Sequence, residues 1–275
     1  MFQNVLYLYL SGDFSLKTSL RKEKNNMIYV TGDTHGDLRR FTTENFPEQK
    51  EMTKNDYVII LGDFGGVWSY KKSSQEEYWL DWLENKPFTT LFIDGNHENF
   101  ERLYSYPTKT FNGGKVHEIR PSVLHLQRGE VFLLENHKFF AFGGASSHDV
   151  ADGILDPVFD SEKIKKWSKD YTKMFRIDKI SWWEQELPSQ EEKDNGIANL
   201  AQNDNKVDFI LTHCAPASTV ALIGQGLYEQ DQLTQYLEEI HSTIDYRCWL
   251  FGHYHDNRQV NAKEIMLYEQ ITRIL

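Results

Sequence analysis

The stretch Met27-Ile28-Tyr29-Val30-Thr31-Gly32-Asp33-Thr34-His35-Gly36-Asp37 joins a short apolar run to a cluster of acidic and histidine residues. An apolar run rich in β-branched residues predicts a buried β-strand. The arrangement recurs twice, since Tyr57–Leu61 precedes Gly62-Asp63 and residues 90–93 precede Asp94-Gly95-Asn96-His97. Strands that are apolar on both faces are expected between layers of helices. The repeated pattern therefore predicts an α/β fold.

Later segments continue this plan, with one exception. Residues 207–211 and 246–251 are again apolar runs, and they lead to Thr212-His213 and Gly252-His253. Short runs separated by turn residues predict a meander that belongs to a second sheet, at residues 123–126, 130–134 and 138–142. Residues 146–205 are charged and rich in tryptophan, and we interpret them as an insertion over the sheet edge that can act as a lid. Helical patterns occupy residues 73–84 and 190–201.

The sequence pattern also predicts where the domain begins and ends. We find no interdomain linker, so residues 27–275 are predicted to form a single domain. Residues 1–26 are interpreted as an N-terminal extension that is either absent from the native protein or a real strand or arm. The first option is suggested by Lys22-Glu23-Lys24, whose codons can read as a ribosome-binding site before Met27. N-terminal peptide mapping of the native protein distinguishes the two.

The composition limits the partners of the chain. Its formal net charge of −11 argues against a long nucleic acid, because proteins that bind the phosphate backbone usually carry a basic surface. A nucleotide or short oligonucleotide is still allowed. No apolar run reaches the roughly 20 residues that a membrane span needs, so no membrane association is expected. The two cysteines, Cys214 and Cys248, form no CxxC pair, which favours a reducing cytoplasm. Protein partners are not predicted.

Side chains suited to metal binding follow the predicted strands. Five of the 10 histidines lie in these clusters: His35, His97, His213, His253 and His255. Sites in α/β sheets form where the carboxyl ends of strands open into loops, so the clusters should converge. Carboxylate, amide and imidazole ligands suit Mn, Fe, Zn, Co or Ni, with Mn favoured, rather than Ca²⁺ or a thiolate site. Residues i and i+2 of an extended segment point the same way, so Asp33 can share a cation with His35, and His253 with His255.

Five motifs occur in order along the chain: GDTHGD at 32–37, GDFGG at 62–66, GNHE at 95–98, TH at 212–213 and GHYH at 252–255. In these motifs the chain resembles the calcineurin-like metallophosphoesterase superfamily. The resemblance implies an α/β fold with a two-sheet β-sandwich flanked by helices, in four layers. It also implies two metal ions and hydrolysis of a phosphomonoester or phosphodiester by a hydroxide held between them. A small-molecule or nucleotide substrate is favoured.

The resemblance also assigns roles to individual residues. One metal is assigned to Asp33, His35 and His255. The other is assigned to Asn96, His213 and His253. Asp63 bridges both ions, and His97 contacts the phosphate or protonates the leaving oxygen. Arg39 and His148 are weaker candidates for substrate binding.

The chain departs from the superfamily pattern at two positions. Gly66 occupies the slot in which many relatives carry the Asp that orients the histidine equivalent to His97. Val67 replaces an arginine of the protein-phosphatase relatives. The first change weakens the role of His97 as a general acid, and the second weakens a serine/threonine phosphatase interpretation.

Two alternatives to a small-molecule phosphoesterase are kept. One is a non-catalytic, metal-binding interaction module on the same fold, and the other is a nuclease that acts on short oligonucleotides. The module should lack metal-dependent hydrolysis of p-nitrophenyl phosphate. Two histidines outside the clusters, His117 and His125, carry no functional prediction.

Overall fold

A computed structural model describes residues 26–226 and 228–275 of the chain. Apart from Asn26, the predicted extension of residues 1–26 lies outside them. The described strands, numbered in chain order, are β1 (Ile28–Thr31), β2 (Tyr57–Leu61), β3 (Thr89–Ile93), β4 (Thr108–Phe111), β5 (Gly114–Arg120), β6 (Val123–Leu126), β7 (Glu130–Leu134), β8 (His137–Phe142), β9 (Gly153–Leu155), β10 (Phe175–Ile177), β11 (Lys206–Thr212), β12 (Asp245–Phe251), β13 (Arg258–Gln259), β14 (Glu264–Met266) and β15 (Thr272–Arg273).

The helices lie between these strands. The described α-helices are α1 (Ser74–Glu84), α2 (Phe100–Leu103), α3 (Ser161–Trp167), α4 (Gln190–Gln202), α5 (Ala217–Gly224) and α6 (Gln232–Thr243). Three short 3₁₀ segments accompany them, at Leu38–Phe41, Pro47–Glu51 and Glu184–Glu186. Side-chain hydrogen bonds cap the N-termini of several of these helices. Ser189, for example, forms a reciprocal capping box with Glu192 at the start of α4.

Two large sheets carry the fold. The first has seven strands in the order β15-β1-β2-β3-β6-β5-β4, and β1, β2, β3 and β6 run parallel. The second has six strands in the order β13-β14-β12-β11-β8-β7, and β8, β11, β12 and β14 run parallel. A separate two-stranded pair joins β9 to β10. Parallel strands with antiparallel edges are typical of α/β proteins.

The side chains of each sheet divide between two apolar cores. Between the sheets, Ile28 and Val30 of β1 pack in the same cluster as Phe209 and Leu211 of β11. On the outer face of the first sheet, Tyr29 joins a cluster with α1 and the 3₁₀ segment Leu38–Phe41. A third cluster covers the outer face of the second sheet with α4, α5 and α6. The layers are therefore helix, sheet, sheet and helix, and the predicted four-layer α/β sandwich is confirmed.

The structure corrects part of the strand prediction. β6 was expected in the second sheet with β7 and β8, but it pairs in parallel with β3 in the first sheet. The hairpin of β4 and β5, the edge strand β15 and the helices α5 and α6 were not predicted. Most of the remaining predicted strands and helices begin and end within two residues of the observed ones.

Residues 146–205 contain β9, β10, α3 and α4. The helix α4 packs on the outer face of the second sheet through Leu200, which is fully buried. By contrast, α3 has no buried residue, and Phe159 just before it is exposed. The single domain at residues 27–275, with residues 146–205 as an insertion that can act as a lid, stays a prediction. None of the helices in the described residues is long and apolar enough to cross a bilayer.

Candidate functional site

The predicted site residues lie where parallel strands of both sheets end. In the first sheet Thr31 pairs with Ile60, and Leu61 pairs with Ile93, so three strands finish at one edge. In the second sheet Thr212 pairs with Phe251. The motif residues follow directly after these strand ends, and the sandwich brings the two edges together. The convergence that the sequence predicts is therefore present.

The loops at this edge adopt an uncommon backbone conformation. Four of the predicted ligands have positive φ angles: His35 (46°), Asp63 (45°), His253 (70°) and His255 (51°). Residues other than glycine seldom adopt this region, and they do so mostly where the surroundings impose it, often at functional sites. The expectation that residues i and i+2 reach one cation holds for Asp33 and His35, whose ligand atoms lie together, but is wrong for His253 and His255. His255 faces Asp33 and His35, whereas His253 packs against His213.

Two glycines make room for this packing. A Cβ at Gly62, whose φ is +88°, would lie 2.2 Å from Nδ1 of His213. A Cβ at Gly95 would lie 2.1 Å from the Asp63 carboxylate. Both distances are far below van der Waals contact. The glycine of each motif is therefore needed so that the carboxylate and the imidazole can approach each other.

The first group of side chains contains Asp33, His35 and His255. The Nε2 atom of His255 lies 3.1 Å from Oδ2 of Asp33 and 3.1 Å from Nε2 of His35. One ligand atom from each residue falls within 4.8 Å of the others, which is close enough for one cation. The Oδ1 atom of Asp33 accepts a hydrogen bond from the backbone N–H of His253. This bond fixes the carboxylate and leaves Oδ2 facing the imidazoles.

The second group contains Asp63, His213, Asn96 and His253. Nδ1 of His213 donates to the carbonyl of Leu61 at 2.7 Å, so Nε2 faces Asp63 Oδ1 at 3.3 Å. A bond of this kind orients histidine ligands in metal sites. Burial lowers the pKa of His213, but the carboxylates of Asp63 and Asp33 outweigh it and raise the pKa to about 9.

Asn96 and His253 complete this group. Asn96 donates weakly from Nδ2 to the hydroxyl of Ser147, at 3.4 Å. The carboxylate of Glu186 holds Ser147 through its hydroxyl and its backbone N–H. His253 is buried deeply enough that its pKa falls well below its ordinary value, with His213 and His148 adding to the effect.

The donor atoms of the site fit divalent metal ions. Among the described residues, nine buried side-chain atoms have no hydrogen-bond partner of acceptable geometry, and three of them belong to the predicted ligands: Asp33 Oδ2, Asn96 Oδ1 and His213 Nε2. Buried polar atoms in folded proteins almost always have a hydrogen-bond partner. Three such atoms without one in the same site therefore indicate that a ligand binds there. Carboxylate, amide and imidazole together suit a transition-metal ion. The residues present therefore fit the metals that the resemblance implies.

His97 lies beside these groups. Its backbone N–H donates to Asp63 Oδ1 at 2.8 Å, and its ring packs against that of Trp68. A ring nitrogen also comes within 4.8 Å of ligand atoms of His35 and Asp63, so the distances alone would allow metal contact. Burial lowers the pKa of His97 to about 4, Asp63 opposes the shift and Arg176 adds to it. The imidazole is therefore neutral near pH 7.

The two weaker candidates lie on opposite sides of the site. Arg39 lines a cavity of about 490 Å³ with Asp33 and His35, but it is 75% exposed and paired with Asp37. His148 lines a second cavity of about 550 Å³, and its Nε2 lies 2.6 Å from Nε2 of His253. Their roles in substrate binding stay predictions.

Sequence reasoning missed three side chains of the site. Ser147 and Glu186 hold Asn96, and Arg176 contacts His97 with Nη2 at 3.0 Å from Nε2. The sequence assigns residue 147 no role beyond the insertion at residues 146–205. No motif marks Arg176 or Glu186, because both belong to the segment that least resembles the rest of the fold.

Three relatives show limited similarity. Two are proteins named lariat debranching enzyme, from Caenorhabditis briggsae (25% identical) and Caenorhabditis elegans (26%); each alignment covers 210 residues and 70% of this chain, with 37% and 38% of the relative. Lariat debranching enzyme A of Xenopus laevis is 26% identical over 153 residues, which is 50% of this chain and 27% of the relative. The chain thus spans well under half the length of these relatives.

The family comparison covers most of the chain. Residues 27–257 match the family described as calcineurin-like phosphoesterase. The matched range contains all five motifs, the strand ends that carry them and the three unpartnered ligand atoms. The chain therefore belongs to the calcineurin-like phosphoesterase family.

Proposed function

We propose that this protein hydrolyses a phosphate ester of a small molecule or nucleotide with two bound transition-metal ions. The observation that carries the proposal is the set of three buried ligand atoms that form no hydrogen bond of acceptable geometry, on Asp33, Asn96 and His213. A folded protein keeps such atoms together when a ligand satisfies them. Membership of the phosphoesterase family identifies the class of reaction.

We assign the ligands as the family pattern suggests. Asp33, His35 and His255 hold one ion, Asn96, His213 and His253 hold the other, and Asp63 bridges them. When bound, the pair would supply a hydroxide nucleophile at neutral pH and neutralise charge on the phosphoryl oxygens. The mixed oxygen and nitrogen ligand set would suit Mn, Fe, Zn, Co or Ni, and Mn is favoured as the first ion to test.

The protein's own residues position these ligands. The Leu61 carbonyl accepts a hydrogen bond from Nδ1 of His213, so Nε2 is the nitrogen that would bind a metal ion, with release of its proton. The backbone N–H of His97 fixes Asp63, and that of His253 fixes Asp33. His97 is neutral at pH 7, so we infer that it contacts the phosphoryl group through a hydrogen bond rather than acting mainly as a proton donor.

The cavity beside His253 favours a leaving group without much negative charge. Its described lining includes the carboxylates of Glu229 and Asp231 and the rings of Tyr228 and Tyr254, and it contains no Lys or Arg. Carboxylates repel further phosphates but accept hydrogen bonds from hydroxyl groups. A nucleoside or sugar therefore fits this cavity better than a polyphosphate chain.

A phosphodiester of a short oligonucleotide is the second candidate. The similarity to proteins named lariat debranching enzyme favours a diester. The net charge of −11 works against a long strand. We further propose a cytoplasmic location, because the two cysteines are both buried and unpaired.

The first experiment is hydrolysis of p-nitrophenyl phosphate and of bis(p-nitrophenyl) phosphate after loading with Mn²⁺, Zn²⁺, Fe²⁺, Co²⁺ or Ni²⁺. We expect metal-dependent turnover of at least one ester, with about two ions per chain by elemental analysis. A panel of nucleotides, cyclic dinucleotides, phosphopeptides and sugar phosphates then identifies the substrate class. Inactivity towards every ester in protein that holds both ions would refute the proposed hydrolysis and favour the interaction module.

A further inference from the structure

Arg176 brings a positive charge from residues 146–205 to the side of the site that holds His97. It is the middle residue of β10, and its side chain is only 7% exposed. Nη2 of Arg176 lies 3.0 Å from Nε2 of His97. A guanidinium has donors only, so Nε2 is the acceptor and the imidazole carries its proton on Nδ1. The cation therefore faces the site with a neutral nitrogen as its acceptor.

Two further hydrogen bonds hold the guanidinium from its own segment. Nε donates to Asp149 Oδ1 at 2.6 Å, and Nη1 donates to the carbonyl of Ser181 at 3.0 Å. With the contact to His97, the described residues use three of the five N–H groups and leave one on each terminal nitrogen. Two N–H groups in a fixed plane match a pair of phosphate oxygens. Arg176 is thus oriented and still has donors for an oxyanion.

The other arginines near the site are committed elsewhere. Arg39 is paired with Asp37 and is largely exposed. Arg40 donates to the backbone carbonyls of Gly32, Asp33 and Tyr268, so its guanidinium stabilises the backbone of the loop after β1. The guanidinium groups of Arg39 and Arg40 are therefore directed away from His97.

The loop after β2 supplies no charged side chain on this side of His97. A Cβ at Gly66 would lie 2.4 Å from the ring of Phe64, and Val67 is fully buried. Trp68 covers the imidazole with its ring, at 5.4 Å between centroids, and Trp183 packs against Trp68 at 5.6 Å. A cation can reach this place only from another segment, and β10 provides it.

We propose that Arg176 binds the non-bridging oxygens of the substrate's phosphoryl group, so that residues 146–205 contribute a substrate-binding side chain to the site. This proposal rests on the function proposed above. A charged oxygen is a stronger acceptor than a neutral imidazole, because hydrogen bonds between charged groups are about twice as strong. The phosphate therefore takes over donors that His97 and solvent occupy in its absence. The same cation opposes the charge on the transferring phosphoryl group.

The test compares three arginine variants of the full, metal-loaded chain: Arg176→Gln, Arg176→Lys and, as a control, Arg120→Gln. Arg120 is partly buried and pairs with Glu77 and Asp81 of α1, away from the site. Each variant is assayed with both p-nitrophenyl esters, analysed for metal and titrated with inorganic phosphate by calorimetry. Phosphate binding reports on the anion site without any turnover.

We expect Arg176→Gln to lower kcat/KM by about 10²-fold and to weaken phosphate binding about tenfold, with the metal content unchanged. Arg176→Lys should recover part of both losses, because it keeps the charge but not the planar fork. Arg120→Gln should behave like the wild type.

Two outcomes would overturn the assignment of Arg176. One is phosphate affinity and kcat/KM within twofold of the wild type in Arg176→Gln. The other is loss of metal together with activity, which would make Arg176 a structural residue of the metal centre. If the wild type hydrolyses no ester, the proposed function fails, and the calorimetric comparison then decides separately whether Arg176 binds the anion.

Discussion

Two groups of Asp and His side chains meet at the end of β3, and they differ in how their polar atoms are hydrogen-bonded. Asp94 and Asn96 both follow β3, two residues apart. Asn96 belongs to what we call the metal-ligand group, which consists of the proposed ligands Asp33, His35, Asp63, Asn96, His213, His253 and His255. Asp94 belongs to what we call the Asp94 cluster, which consists of Asp94, His117, His125 and Arg128. Both groups combine buried carboxylate with buried imidazole, although His35 and His255 of the metal-ligand group are exposed.

In the Asp94 cluster the protein itself satisfies the polar atoms. Nε2 of His125 lies 3.0 Å from Asp94 Oδ1, and Nε of Arg128 donates to Asp94 Oδ2 at 2.9 Å. Nδ1 of His125 faces Nδ1 of His117 at 3.0 Å. Burial raises the pKa of Asp94, but Arg128 and His125 more than reverse this and hold it below its ordinary value.

In the metal-ligand group several of the corresponding atoms have no hydrogen bond of acceptable geometry. Among the described residues, Asp33 Oδ2, Asn96 Oδ1 and His213 Nε2 lack hydrogen bonds. Both groups contain buried carboxylate and buried imidazole, so the presence of these side chains does not by itself separate a metal centre from a structural network. The two groups are distinguished by these three buried atoms, which form no hydrogen bond in the metal-ligand group.

Asp63→Asn should break the metal-ligand group and have the largest effect. Asp63 is proposed to bridge both ions, so removing its charge weakens both. We expect at most a small fraction of the normal metal content and a loss of activity on the order of 10³-fold or more. Metal analysis and ester hydrolysis measure this. Asp245→Asn, at an exposed carboxylate paired with Lys206, is the matched control and should change neither.

Arg128→Met should break the Asp94 cluster without emptying the site. The change leaves the buried carboxylate of Asp94 without its cation, and breaking a buried ion pair in this way costs about 3–5 kcal/mol. Urea denaturation measures the free energy of unfolding, and Arg120→Gln, at a more exposed ion pair, should cost less than about 1 kcal/mol. Folded Arg128→Met protein that holds no metal would show that the two groups are not separate.

His97→Ala should lower kcat by about 10²-fold and leave the metal content near normal. The reason is that His97 contacts substrate in the proposed assignment, whereas the metal ions have seven other ligands. His137→Ala removes a histidine that bonds only to the Glu135 carbonyl and serves as the control. Loss of metal in His97→Ala would instead make His97 a ligand, as its distances to His35 and Asp63 allow.

The sequence predicts that the members of the metal-ligand group lie close together, because they belong to motifs at strand ends, and their role as ligands stays a proposal. Each buried apolar run predicts a strand, and the parallel order of the sheets brings the ends together. The sequence does not predict the positive φ angles of His35 or His255, which the crowded loops impose. It also misses Arg176, whose contact with His97 joins residues 79 positions apart and follows no motif.

The error over β6 has a similar cause. The runs at residues 123–126 and 130–134 look like neighbouring strands of one meander, yet they belong to different sheets. Residues 127–129 cross between the sheets, and Arg128 turns inward there to reach Asp94. An arginine between two apolar runs looks like an exposed turn residue in a sequence. Only its buried partner, 34 residues earlier, shows otherwise.

His117→Gln should give the smallest effect and tests how tightly the Asp94 cluster is closed. Burial lowers the pKa of His117 to about 4, and the neighbouring His125 adds to the shift. Between about pH 4 and pH 6.5 the unfolded chain therefore binds a proton at this residue that the folded chain does not bind, so the contribution of His117 to stability falls as the pH falls through this window. Above about pH 6.5 the residue is neutral in both states, and the contribution no longer depends on pH.

The variant removes this titration but keeps a side chain that can bond to His125. From pH 7 to pH 4.5 we expect the wild type to lose on the order of 1 kcal/mol more unfolding free energy than His117→Gln, after allowing for partial solvent exposure. Urea denaturation at the two pH values measures the difference. Equal losses in the two proteins would mean that protonated His117 is accommodated in the fold, and the Asp94 cluster would then be as open to a new charge as the metal-ligand group beside it.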